Sequence, residues 1–165
     1  MAGMLDQLIN IMGEQSERYE ELLGLAKEKR DIIILNDIEN LQKVTHLENL
    51  VISQSQKLER KRITVVSDIA LVLNQKEDDL TLSKLIELME GQEGQDKLIE
   101  LKEKFKVVIE DLKEHNDQNT QLVQNALDYL DFNSNLIRGA MSNHSLYPGM
   151  DDNYPSEAGY IDTKN

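Results

Sequence analysis

Apolar residues recur every three or four positions along most of this chain, the spacing of helices that pack on other helices. Leu5, Leu8, Met12, Tyr19, Leu22, Ala26 and Ile33 form a first stripe, with Gln15 and Lys29 as its polar members. This spacing predicts a helix over residues 4–35. A second stripe carries Leu41, Val44, Val51, Leu58, Val65, Ile69 and Val72, interrupted by Glu48, Ser55 and Arg62, and predicts a helix ending near Asn74. Between the two, Asn36 suits the left-handed residue that closes a helix, and Asp37 suits an N-cap. One uninterrupted helix over residues 4–74 is the alternative, since neither Gly nor Pro enforces a reversal. With the reversal, the stripes face each other antiparallel. Lys29 then falls within a turn of Glu48, Glu14 within a turn of Arg62, and Tyr19 opposite Ser55.

Residues 74–79 read as a polar connector. Thr81 can cap a short third helix, with Leu80 and Leu85 at the two positions of a hydrophobic staple. Gly91 and Gly94 mark the next turn. A long fourth helix follows over residues 95–138. Leu98, Leu101, Phe105, Val108, Leu112, Leu122, Ala126, Tyr129 and Leu136 keep heptad spacing, with His115, Asn119 and Asn133 as polar members. Beyond Leu122 the stripe widens, because Val123, Leu127, Leu130, Phe132 and Ile137 add apolar surface outside the narrow seam. From Gly139 onward periodicity stops, both prolines appear (Pro148 and Pro155), and Asn, Ser, Asp and Gly dominate. The expected fold is all-α: an antiparallel, coiled-coil-like bundle of three long helices plus one short helix. The bundle domain covers residues 1–139, and residues 140–165 form a disordered tail.

Composition narrows the function classes. Eighteen Lys and Arg stand against 31 Asp and Glu, a formal net charge of −13, which repels phosphate backbones and anionic lipid. Nucleic-acid binding is therefore not expected, and the short basic run from Arg60 to Arg62 lies inside an amphipathic helix pattern. No apolar run approaches the roughly 20 residues of a membrane span, and residues 1–10 lack the layout of a signal peptide. The absence of cysteine fits a reducing compartment. These features predict a soluble, cytoplasmic chain without membrane insertion.

Candidate chemistry is sparse. A di-iron site in a helical bundle needs Glu-x-x-His pairs, and none of His46, His115 or His144 has a Glu three residues before it. The run from Gly91 to Gly94 matches neither glycine-rich nucleotide motif. His115 reads as a helix residue facing polar neighbours or solvent. The expectation is a binding protein that is not an enzyme and uses no metal or cofactor.

Four strings resemble the FlgN family of flagellar export chaperones. YEELLGLAKEKR, from Tyr19 to Arg30, is similar to the family's first-helix segment, and NDIE, from Asn36 to Glu39, to the turn after it. LERKR, from Leu58 to Arg62, resembles the basic patch of the second helix, and LTLSKL, from Leu80 to Leu85, the start of the short third helix. Residues 119–139 fit the closing helix, so the likeness spans residues 4–139 and leaves the tail unmatched. The resemblance implies a chaperone that holds hook-associated proteins of the hook–filament junction by their helical ends before secretion. It also implies delivery of them to the flagellar type III export machinery. In the family, clients bind the C-terminal helical region, which here carries Leu122, Val123, Ala126, Leu127, Leu130, Phe132, Leu136 and Ile137.

The residues support that placement independently. A helix apolar over more than one face is either buried on all of them or presents surface to a partner. A client helix can anchor there at i, i+3, i+4 and i+7. For each single residue, plain bundle core is the alternative. For the whole chain, the alternative is a self-associating scaffold with no export role. A client-free chaperone can also pair its groove with a second copy. The three tyrosines of the tail (Tyr147, Tyr154 and Tyr160) suggest that it folds back over the groove when no client is bound.

Overall fold

The computed structural model describes residues 2–143, with side chains over residues 3–140. The expected tail thus lies largely outside the described residues. Four α-helices run in chain order: α1 (Ala2–Ile34), α2 (Ile38–Val72), α3 (Leu82–Leu88) and α4 (Gln95–Asn143). A single 3₁₀ turn, Glu77–Asp79, precedes α3, and there is no strand among the described residues. This is the all-α arrangement of three long helices and one short helix that the periodicity predicts.

The reversal at Asn36 is real, and its chemistry is that of a left-handed helix stop. Asn36 has φ 54°. Its N–H donates to Ile33 O at 3.0 Å, and Asp37 N–H donates to Ile32 O at 3.1 Å, which satisfies two carbonyls that the ending helix would otherwise strand. Asp37 then caps α2, its carboxylate accepting from Asn40 N–H at 3.2 Å. The same device closes α2. Asn74 has φ 53°, with Asn74 N–H donating to Leu71 O and Gln75 N–H to Ala70 O. Two asparagines thus perform what glycine more often does.

Thr81 caps α3 by accepting from Lys84 N–H at 3.1 Å, and both staple leucines, Leu80 and Leu85, are buried. Gly94 closes the turn into α4 with φ 97°, and a Cβ there would lie 3.2 Å from Ile9 Cδ1. Glycine is therefore needed at this position for both conformation and space.

The described chain divides into two units, one ending at Leu122 and one beginning at Val123. In the first, the core gathers Leu5, Leu8, Ile11 and Met12 of α1 with Leu58, Val65, Ile69 and Ala70 of α2. Leu80, Leu85, Met89 and Leu98 complete it. The rest of the α1–α2 seam is thinner and partly polar. Lys29 Nζ meets Glu48 Oε2 at 3.1 Å, as the antiparallel register predicts. At the other expected pair, Gln15 rather than Glu14 enters the seam. Gln15 is buried and donates to Glu59 Oε2 at 2.8 Å, the carboxylate that Arg62 Nε also holds at 2.9 Å. Tyr19 turns its ring to α4, where it meets Phe105 edge to face at 5.5 Å.

Helix α4 runs in the same sense as α1. Gly94 lies against Ile9, Lys104 pairs with Glu20, and Asn119 Nδ2 donates to Ala26 O at 2.8 Å. The helix continues to Asn143, past the predicted end at Arg138. No proline occurs before Pro148, and a glycine such as Gly139 costs a helix only about 1 kcal/mol.

Candidate partner-binding surface

Positions 123–138 of α4 are mostly sorted by angle, with Asn125, Asn133 and Ser134 as polar members inside the apolar side. At 3.6 residues per turn, Gln124, Asp128, Asp131, Asn135 and Arg138 share one narrow polar arc, and apolar residues cover most of the remaining circumference, about 220°. The polar arc is internally bonded, Gln124 Nε2 donating to Asp128 Oδ1 at 2.9 Å. The apolar arc has two ridges. Tyr129 and Leu136 continue the heptad of Leu122, while Val123, Leu127, Leu130 and Ile137 form a second ridge beside it.

Both ridges are open to solvent. Leu130 and Phe132 are each 60 % exposed, Ile137 61 % and Tyr129 66 %. Val123, Ala126 and Leu136 are exposed as well, and Leu127 is half-buried. Leu122, the last residue of the first unit, is also half-buried. Nearer its start the same helix covers its stripe better, with Leu98 fully buried, Val108 and Asn119 nearly so, and Leu101, Phe105 and Leu112 half-buried. The structure thus gathers the sequence-predicted residues on one helix, and most of them lie uncovered. Tyr129 belongs with them. It sits on the heptad seam, and its exposure is the feature that periodicity could not supply.

A second uncovered apolar patch was not anticipated. Ile34, Leu35 and Ile38 flank the α1–α2 turn and are all more than half exposed. The signal for it is the unbroken run Ile32, Ile33, Ile34, Leu35. Four consecutive apolar residues occupy all sides of a helix, so one seam cannot bury them.

Electrostatics in the first unit are structural. The Arg62 guanidinium holds the Glu59 carboxyl below its ordinary value, against a smaller opposing effect of burial, and the Gln15 amide assists. Glu59 in return raises Arg62. His115 is half-buried, and its Nδ1 is shielded without a hydrogen-bond partner. Among the described residues no group of three or more His, Asp or Glu is placed to hold a metal ion. None of their helices is long and apolar enough to cross a membrane.

An uncovered apolar helix on an acidic all-helical scaffold is what a helix-binding chaperone requires, and a family model described as FlgN protein matches residues 1–150. The chain belongs to the FlgN family. That match takes in all four helices, the exposed part of α4 included. No curated protein and no solved structure matches the chain significantly. Membership gives it the general role of a flagellar export chaperone, in a family of chaperones rather than enzymes, with flagellar proteins as partners.

Proposed function

We propose that this protein binds hook-associated proteins of the hook–filament junction in the cytoplasm, without catalysing a reaction. It prevents their premature assembly and hands them to the flagellar type III export apparatus. The exposed apolar arc of α4 between Val123 and Ile137 carries this reading. Burying a Leu, Ile or Phe side chain fully is worth about 1.5–3 kcal/mol. Covering the exposed parts of Leu130, Phe132, Leu136 and Ile137 therefore supplies about 4–7 kcal/mol toward the cost of association. An unassembled axial protein exposes helical ends with the same need, and a helix-in-groove contact satisfies both partners. Leu122, Val123, Ala126 and Leu127 would extend the contact toward the first unit's end of α4.

The test is co-expression with hook-associated proteins of the same organism, followed by size-exclusion chromatography with light scattering. A complex of defined mass that is lost when the client's terminal helices are deleted is the expected result. A tight homo-oligomer that captures no client would replace this reading with that of a self-associating scaffold.

A further inference from the structure

We propose that the groove between α1 and the first part of α4 docks a cationic amphipathic helix of a partner protein. Both walls belong to the first unit. The groove shares no residue with the exposed arc beyond Leu122, so this inference stands apart from the client reading. It has a volume of about 390 Å³ and opens to solvent. Its floor is apolar: Val108 is buried, Leu23 is half-buried, and Val107 is left 54 % exposed. Its lip is charged. Lys104 Nζ reaches across to Glu20 Oε1 at 3.3 Å, which neutralises both. Glu103 and Asp111 stand on the same lip, exposed, and neither carboxylate has an ion-pair or hydrogen-bond partner among the described residues. One turn on from Glu20, on the same side of α1, stands Gly24, where even a Cβ would meet nothing within 4 Å.

The chemistry of the groove selects its occupant. Glu103, Val107 and Asp111 follow one another at i+4 spacing on one side of α4. The two free carboxylates are therefore about 12 Å apart along the axis, with the exposed valine between them. A helix laid alongside with Lys or Arg at i and i+7 spans about 10.5 Å, close enough for long side chains to reach both. Its residues i+3 and i+4 then face the floor and, when apolar, cover Val107 and Leu23. One pattern thus satisfies both the opposite charge the lip calls for and the apolar contact the floor calls for. A second copy of this chain is a poor occupant, because at a net charge of −13 it brings more carboxylates to a lip that already has two unpaired ones.

The probe is an Ala-based helical peptide with two Arg seven residues apart and two Leu midway between them. It is titrated to millimolar concentration into the full-length protein carrying isotope-labelled methyl groups, at low salt. The expected result is a saturable shift of the Leu23, Val107 and Val108 methyl resonances, with those of Leu130 and Ile137 unmoved. Glu103→Gln plus Asp111→Asn replaces two exposed side chains, so circular dichroism should match the wild type. That variant should bind the peptide about 2- to 30-fold more weakly, the worth of two exposed ion pairs. Added salt should weaken binding to the wild type in the same direction, and a peptide with Glu in place of both Arg should move nothing. An absence of shifts at millimolar peptide overturns the proposal, as does equal affinity for the wild type and the neutralised variant. Shifts confined to Leu130 and Ile137 would give the peptide to the client surface. Shifts that follow protein concentration without peptide would give the groove to a second copy. Either result overturns the proposal as well.

Discussion

At the residue scale the fold depends on a few positions where backbone conformation or charge is constrained. Asn36 ends α1 with φ 54°, a conformation that costs a residue with an ordinary Cβ about 1–2 kcal/mol. Asn36→Gly should therefore leave stability unchanged or raise it slightly, while Asn36→Ala should lower it by about 1 kcal/mol in urea denaturation. Gly94→Ala should cost more, because the added Cβ meets both a φ of 97° and Ile9 Cδ1 at 3.2 Å. Glu59 supplies a pH test. Its carboxyl is held below the ordinary value of 4.5 by Arg62. The folded state thus binds that proton less readily than the unfolded chain. The resulting stability is present above pH 4.5 and is lost as pH falls through the lower folded value. Urea midpoints at pH 7 and pH 3.5 should differ more for the wild type than for Glu59→Gln. An equal difference would mean that the Arg62 contact contributes nothing.

At the element scale, α4 has two characters within one helix. Leu98 is fully buried and Leu130 is 60 % exposed. Leu98→Ala should therefore cost about 2–5 kcal/mol of stability. Leu130→Ala should stay within about 0.5 kcal/mol, as surface substitutions do. Similar losses from the two would show that the second part of α4 is covered after all. Much of this level was legible in the sequence. The 3-4 stripes placed all four helices, Asn36 and Asp37 placed the reversal, and Thr81 with Leu80 and Leu85 placed the start of α3. The misplaced end of α4 has a physical reason: Gly139 weakens a helix without stopping it, and no proline lies between Gln95 and Asn143. The expected pairing of Glu14 with Arg62 does not form: Glu14 is exposed, Arg62 pairs with Glu59, and Gln15, itself a stripe position, enters the seam to reach Glu59. The register limited which side chains could meet there without deciding among them.

At the scale of the whole molecule, the candidate surface was legible as a widening of the apolar stripe after Leu122. Its openness was not, because periodicity says which sides of a helix are apolar and not whether another element covers them. The run from Ile32 to Leu35 shows the same limit. Family membership supplies the general chaperone role, and we propose the exposed arc of α4 as the place where a flagellar client docks. That assignment is most directly tested with Leu130→Asp plus Ile137→Asp. Both positions are more than half exposed on one ridge, so circular dichroism and urea midpoint should match the wild type. Co-expressed with a hook-associated protein and analysed by size-exclusion chromatography with light scattering, the double variant should elute without the client while the wild type retains it. A folded double variant that carries the client at wild-type stoichiometry and affinity would place the binding surface elsewhere.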